Sequence, residues 1–146
     1  MHIKLTEGVP IEYTLRKLRA DNPKVGFATV IADETLAEYG VYPYTRLERP
    51  EYDTLTSRLV DGGFKQDSVG NWVRGYVVEQ LPVDRAERNI RSNRDSLLQE
   101  TDWVVTKAYE TNESVPFEWA VYRQSLRDIT GQAGFPYAVT WPMKPG

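Results

Sequence analysis

The chain changes its hydrophobic periodicity at Pro82, and this change restricts its fold more than any other feature of the sequence. Residues 41–81 carry β-branched and aromatic residues in short runs, and turns at 61–63 and 67–71 separate these runs at the spacing of antiparallel hairpins. After Pro82, apolar residues recur every three or four positions, which is the period of an amphipathic helix. The sequence therefore predicts an α+β fold, with an N-terminal α+β lobe containing a small antiparallel β-meander over residues 1–81 and a helical module over residues 82–146.

Two short helices are predicted in the N-terminal lobe, before the meander. Residues 11–20 have helical spacing and stop before Pro23, because a residue that precedes proline avoids the α region. Residues 34–39 form the second predicted helix, with Asp33 as its N-cap and Gly40 just beyond its end.

The helical module is predicted to be an antiparallel α-helical hairpin with an extended C-terminal tail. One helix is expected over residues 82–100, with Asp84 as its N-cap. The other begins near Ser114, since proline is tolerated in the first turn of a helix, and carries an apolar stripe as far as Ile129. Residues 102–113 are expected to be the loop that joins them.

The C-terminal tail cannot be helical, because it contains three prolines. Its apolar side chains alternate, which predicts one apolar edge of an extended strand. This edge either folds back onto the helices or the sheet, or docks onto a partner by strand addition. The candidate protein-binding residues of the tail are Phe135, Pro136, Tyr137, Val139, Trp141 and Pro142.

Trp72 and Tyr76 lie on the same face of the strand predicted near residues 71–81. They form either part of the sheet core or an exposed contact patch, and they complete the candidate protein-binding set.

The sequence offers little reactive chemistry. It has no Cys and a single His at position 2, which excludes thiolate chemistry, Ser-His-Asp catalysis and histidine-based metal ligation. Glycosidase chemistry needs only two carboxylates, and Glu48, Glu51 and Asp53 provide candidates, but nothing marks a cleft around them. We therefore predict that the protein is not an enzyme, that it has no catalytic or metal-binding residues, and that it uses no cofactor. Aromatic residues such as Tyr44 and Trp72 leave a carbohydrate-binding module of the tail as another hypothesis.

The charge pattern argues against polyanionic and lipid partners. Lys and Arg total 18 against 21 Asp and Glu, a net charge of −3, and no basic stripe is present. No apolar run reaches the length of a membrane span. We therefore predict that the chain binds neither nucleic acid nor membrane.

The C-terminal part of the sequence resembles a known family. Residues 94–103 (RDSLLQETDW), 119–129 (WAVYRQSLRDI), 134–136 (GFP) and 141–142 (WP) occur in the order found in the phage tail assembly chaperone family, whose members are often described as tail fibre assembly proteins. The resemblance is strong over residues 85–145 and weaker over residues 1–84.

The resemblance implies a tailed-phage protein that acts by protein–protein contacts in tail or tail-fibre assembly. Its expected partner is a phage tail or tail-fibre protein, and its expected location is the host cytoplasm during assembly. The alternative is a structural component of the virion tail, such as an adaptor or fibre-base protein. Self-association into a homo-oligomer is left open.

Overall fold

The computed structural model describes residues 1–146 and has a mixed α+β fold, as predicted. Its strands are β1 (His2–Thr6), β2 (Val9–Tyr13), β3 (Val41–Arg46), β4 (Ser57–Gln66) and β5 (Trp72–Gln80). Its helices are α1 (Leu15–Asp21), α2 (Asp33–Glu38), α3 (Val83–Gln99), α4 (Asp102–Thr111) and α5 (Phe117–Arg127), and a short 3-10 helix (Asp128–Gly131) follows α5.

The five strands form one sheet in the order β2-β1-β3-β5-β4. The β1–β2 hairpin turns at Glu7 and Gly8, which both have positive φ, as tight hairpin turns require. β1 pairs with β3 in antiparallel orientation, whereas β3 and β5 are parallel. The predicted antiparallel meander is therefore wrong, because β5 lies between β3 and β4 and makes one parallel pair.

The predicted helix over residues 11–20 begins later than expected. Residues 9–13 form β2 and pair with β1, so hydrogen bonding between strands prevails over a weak helical spacing. α1 then begins after Thr14, whose Oγ1 accepts a hydrogen bond from the Lys17 amide at 3.2 Å.

The chain divides into two compact units, and α1 and α2 belong to the first, which comprises Met1–Glu51 and Leu59–Val78. Leu18 and Leu36 are fully buried in its core with Val41. Gly40 ends α2 with a φ of 69°, which confirms the predicted helix end. Asp33 is not the N-cap: Ala32 occupies that position, and Asp33 is the first residue of the helix.

The second unit comprises Tyr52–Arg58 and Glu79–Gly146. The sequence places residues 52–58 in the N-terminal lobe. In the structure, their backbone carbonyl oxygens accept hydrogen bonds from other residues of the second unit. The Leu81 amide donates to the Thr56 carbonyl oxygen at 2.8 Å, and Asn89 Nδ2 donates to the Leu55 carbonyl oxygen at 2.8 Å.

The segment between the two predicted hairpin helices is itself a helix, α4, and not a loop. Val104 and Ala108, four positions apart, are both buried on its inner face. α4 ends at Asn112, which has a left-handed conformation with φ of 54°. At the start of α3, Pro82 occupies the N-cap position that was predicted for Asp84.

The C-terminal segment contains no strand, so the expected alternating edge is wrong. Residues 133–137 form turns, and Phe135–Pro136 is a cis peptide bond. The Ala138 amide donates to the Gly134 carbonyl oxygen at 2.7 Å, which closes a tight turn. A Cβ at Gly134 would lie 2.1 Å from the Ala138 carbonyl oxygen, so this turn requires glycine.

Candidate functional site

A buried guanidinium group holds the helices of the second unit together. Arg123 of α5 is only 8% exposed. Its Nη1 donates to the Leu98 carbonyl oxygen at 2.8 Å and to Thr101 Oγ1 at 2.6 Å, and its Nη2 donates to Asp102 Oδ1 at 2.9 Å. Thr101 is fully buried, and its Oγ1 also donates to the Leu98 carbonyl oxygen at 2.9 Å. α5 is therefore fixed to the junction between α3 and α4.

Three aromatic rings of α4 and α5 pack against one another in the same unit. Trp103 and Trp119 make an edge-to-face contact with ring centroids 5.9 Å apart, and Trp119 makes a second one with Tyr122 at 6.2 Å. Tyr122 is buried, whereas Trp103 remains 56% exposed. The aromatic cluster thus extends from the core to the surface.

A groove lies between α5 and the end of the chain, and we call it the C-terminal groove. It has a volume of about 520 Å³. Phe117 and Val121 of α5 line one side, and Pro142 and Met143 line the other. Phe117 is 80% exposed, Val121 47% and Met143 92%. Phe117 and Val121 are four positions apart and therefore lie on the same face of α5. Together with Met143 they present one apolar surface.

The residues that lead into the groove are anchored by side-chain bonds. Gln132 Nε2 donates to the Thr140 carbonyl oxygen at 2.9 Å, and the Thr140 amide donates back to Gln132 Oε1 at 2.7 Å. The Tyr137 hydroxyl donates to the Leu81 carbonyl oxygen at 2.7 Å. Lys144 Nζ lies 3.3 Å from Glu100 Oε2, close to the end of the chain.

The predicted tail residues divide into two groups. Pro136 is buried, and the other aromatic and aliphatic members are half-buried: Phe135, Tyr137, Val139 and Trp141. The Arg91 guanidinium lies 5.5 Å from the centre of the Phe135 ring. Pro142 is also half-buried and lines the C-terminal groove. A role of these residues in binding a partner stays a prediction.

Trp72 and Tyr76 lie in the first unit, both half-buried on the same side of β5. Trp72 lines a cleft of about 530 Å³ and is opposite Tyr44 in the parallel β3–β5 pair. Tyr44 is buried, packs edge-to-face on Phe64 at 4.9 Å and donates its hydroxyl hydrogen to Glu12 Oε1 at 2.9 Å. Its ring is therefore packed inside the first unit and does not offer an open platform to a sugar.

Sequence reasoning missed Phe117, Val121 and Met143. The signal for the first two was present, because they have the same i, i+4 spacing as the apolar stripe of α5 but lie on another face of the helix. Met143 carried no such signal, since its position depends on how the last residues fold back.

The structure contains no group of three or more His, Asp or Glu side chains placed to hold a metal ion. None of its helices is both long enough and apolar enough to cross a membrane.

Comparison with known proteins finds a match within the second unit. No curated protein and no solved structure matches the chain. The family model described as phage tail assembly chaperone protein matches residues 87–146. The matched segment contains α4, α5, the Arg123 hydrogen bonds to Leu98, Thr101 and Asp102, and the C-terminal groove. This match confirms the sequence resemblance to the phage tail assembly chaperone family over residues 87–146.

Proposed function

We propose that the protein assists assembly of a phage tail or tail fibre in the host cell by binding a tail or tail-fibre protein in the C-terminal groove. The single observation that carries this proposal is the set of large apolar side chains left exposed around the groove within the family-matched segment. An assembly chaperone needs such a surface, because the segments it protects expose apolar side chains until they reach their final position.

The groove also has the construction of a binding surface. Its α5 side is rigid, since Arg123 fixes that helix through hydrogen bonds inside the unit. Its other side consists of the last residues, where Lys144 makes only an exposed ion pair. A rigid helix face opposite an adaptable segment suits a partner that inserts an apolar helix or an extended chain.

Polar groups at the rim would orient the bound segment. Glu118 and Ser125 line the groove together with the apolar residues. Hydrogen bonds from such groups select a register, whereas the apolar residues provide most of the affinity.

Deletion of the gene from a phage that carries it tests this function. The proposal predicts host lysates with phage heads and few complete tails or fibres, and restoration by the wild-type protein but not by Val121→Asp. Tails that form normally without the protein contradict it. Mass spectrometry of purified virions separates the alternatives: fixed stoichiometric copies indicate a structural tail component, and absence indicates a transient chaperone.

A further inference from the structure

A second surface, in the first unit, has an unusual concentration of arginine. A cleft of about 110 Å³ is lined by Arg46, Arg49 and Arg74 together with Asp61 and Tyr76. Three guanidinium groups and one carboxylate line the cleft, and Glu12 contacts Arg74, so a local excess of one positive charge remains in a chain whose net charge is −3. Positive charge is thus concentrated where the remainder of the chain is acidic.

One of the three arginines is already neutralised. Arg74 forms an ion pair with Asp61, and its Nη1 lies 3.1 Å from Glu12 Oε2. Its guanidinium carbon is also 4.9 Å from the centre of the Phe64 ring. Because Arg74 and Asp61 satisfy each other, they are not free to bind a ligand.

The other two arginines form no ion pair. Arg46 and Arg49 are exposed, and neither forms an ion pair in the structure. Arg46 is opposite Arg74 in the parallel β3–β5 pair, so the sheet register keeps these two cations adjacent. The Arg49 guanidinium carbon lies 5.7 Å from the centre of the Tyr76 ring. Two unpaired cations therefore flank one phenol.

Tyr76 is affected by this excess of positive charge. Hydrogen bonding to Arg49, with a smaller contribution from Arg46, lowers the pKa of its hydroxyl below the ordinary value of 10.0. A phenol in such surroundings is a better hydrogen-bond donor to an anion.

We propose that Arg46, Arg49 and Tyr76 bind a carboxylate group presented by an acidic side chain of a partner protein. Guanidinium groups match the two oxygens of a carboxylate, and the cleft has room for one such group. A cleft of about 110 Å³ favours a single carboxylate over a polyphosphate. This site is independent of the C-terminal groove.

Titration with sodium glutarate, followed by NMR of the arginine Nε–Hε signals, tests the site. Sodium chloride at equal ionic strength is the reference. We expect saturable shifts at Arg46 and Arg49 with glutarate alone, and a rise in the pKa of Tyr76 towards its ordinary value when glutarate is bound. Arg49→Gln should weaken binding about tenfold. Arg16→Gln, which removes an exposed arginine elsewhere in the first unit, should leave binding unchanged.

Three results would overturn the proposal. The first is an equal effect of chloride and glutarate at these arginines, and the second is unchanged binding by both Arg49→Gln and Arg46→Gln. The third is tighter binding of inorganic phosphate than of glutarate, which would reject the carboxylate as the preferred ligand. Melting temperatures of the two variants, compared with that of the wild type, exclude unfolding as the cause of a loss.

Discussion

Arg123 of α5 and Asp102, 21 positions apart in the chain, meet at the junction of α3 and α4 through a 2.9 Å hydrogen bond. Both residues belong to the stretches that carry the family resemblance, and so does Thr101, which accepts a second bond from the same guanidinium. The geometry explains why arginine is needed there: its planar fork reaches the Leu98 carbonyl oxygen, a hydroxyl and a carboxylate at once.

Replacing Arg123 by alanine should destabilise the second unit by about 2–3 kcal/mol, because buried acceptors lose their donor. Urea unfolding followed by tryptophan fluorescence measures the loss. Arg123→Lys should recover only part of the stability, since an ammonium group cannot donate to all three acceptors in the same geometry. Arg127→Ala, an exposed position on the same helix, is the matched control and should have little effect. A wild-type free energy of unfolding for Arg123→Ala would contradict the role assigned to this residue.

Gly134→Ala should also lower the stability, by about 1–3 kcal/mol, because the added methyl group collides with the Ala138 carbonyl oxygen. Gly131→Ala is the matched control, since nothing lies within 4 Å of a Cβ there. Thermal unfolding of the two variants should therefore separate them clearly. Equal melting temperatures would show that the turn over residues 134–138 does not form as described.

Truncation should separate folding from binding in the C-terminal segment. Removal of residues 142–146 takes away one side of the groove but only an exposed ion pair, so the melting temperature should change little while partner binding is lost. Removal of residues 135–146 also deletes buried Pro136 and the Tyr137 hydrogen bond to Leu81, and it should lower the melting temperature. If the shorter truncation bound the partner normally, the last residues would not be part of the binding surface.

The Asp61–Arg74 ion pair predicts a pH dependence in the first unit. Hydrogen bonding to Arg74 lowers the pKa of Asp61 from the ordinary 3.8 to about 2. A carboxyl whose pKa is lower in the folded state stabilises the fold above its ordinary pKa, and this contribution is lost as the pH falls through the folded value. Asp61→Asn should therefore melt at a lower temperature than the wild type at neutral pH.

The same argument fixes the pH range of the effect. The difference in melting temperature should close as the pH falls from about 4 to about 2. Calorimetry of both proteins across this range tests the prediction, and a difference that persists undiminished at the acid end would contradict it.

Local patterns predicted the helices of the second unit better than the sheet of the first. The stripe of Ala86 and Ile90, and that of Tyr122 and Leu126, are buried as helical periodicity requires. The parallel pairing of Tyr44 with Trp72 was not predictable in this way, because it depends on a contact between segments distant in the chain.

The candidate site was predicted only in part for a similar reason. Alternation along residues 135–141 suggested a strand, but the turn at Gly134 and the bonds between Gln132 and Thr140 direct these residues onto their own unit. The exposed residues Phe117 and Val121 show the apolar spacing of a buried face, and sequence alone does not say which of two apolar faces of a helix is covered.

The most direct test of the proposed function is calorimetric binding of the purified protein to the tail and tail-fibre proteins of the same phage, each co-expressed and assayed in turn. The wild type should bind at least one of them. Val121→Asp should weaken that binding about tenfold or more, because it places a charge in the apolar groove. Tyr109→Asp, at a position that is 88% exposed and outside the groove, should bind like the wild type. Equal affinities for Val121→Asp and the wild type would contradict the C-terminal groove as the partner-binding surface.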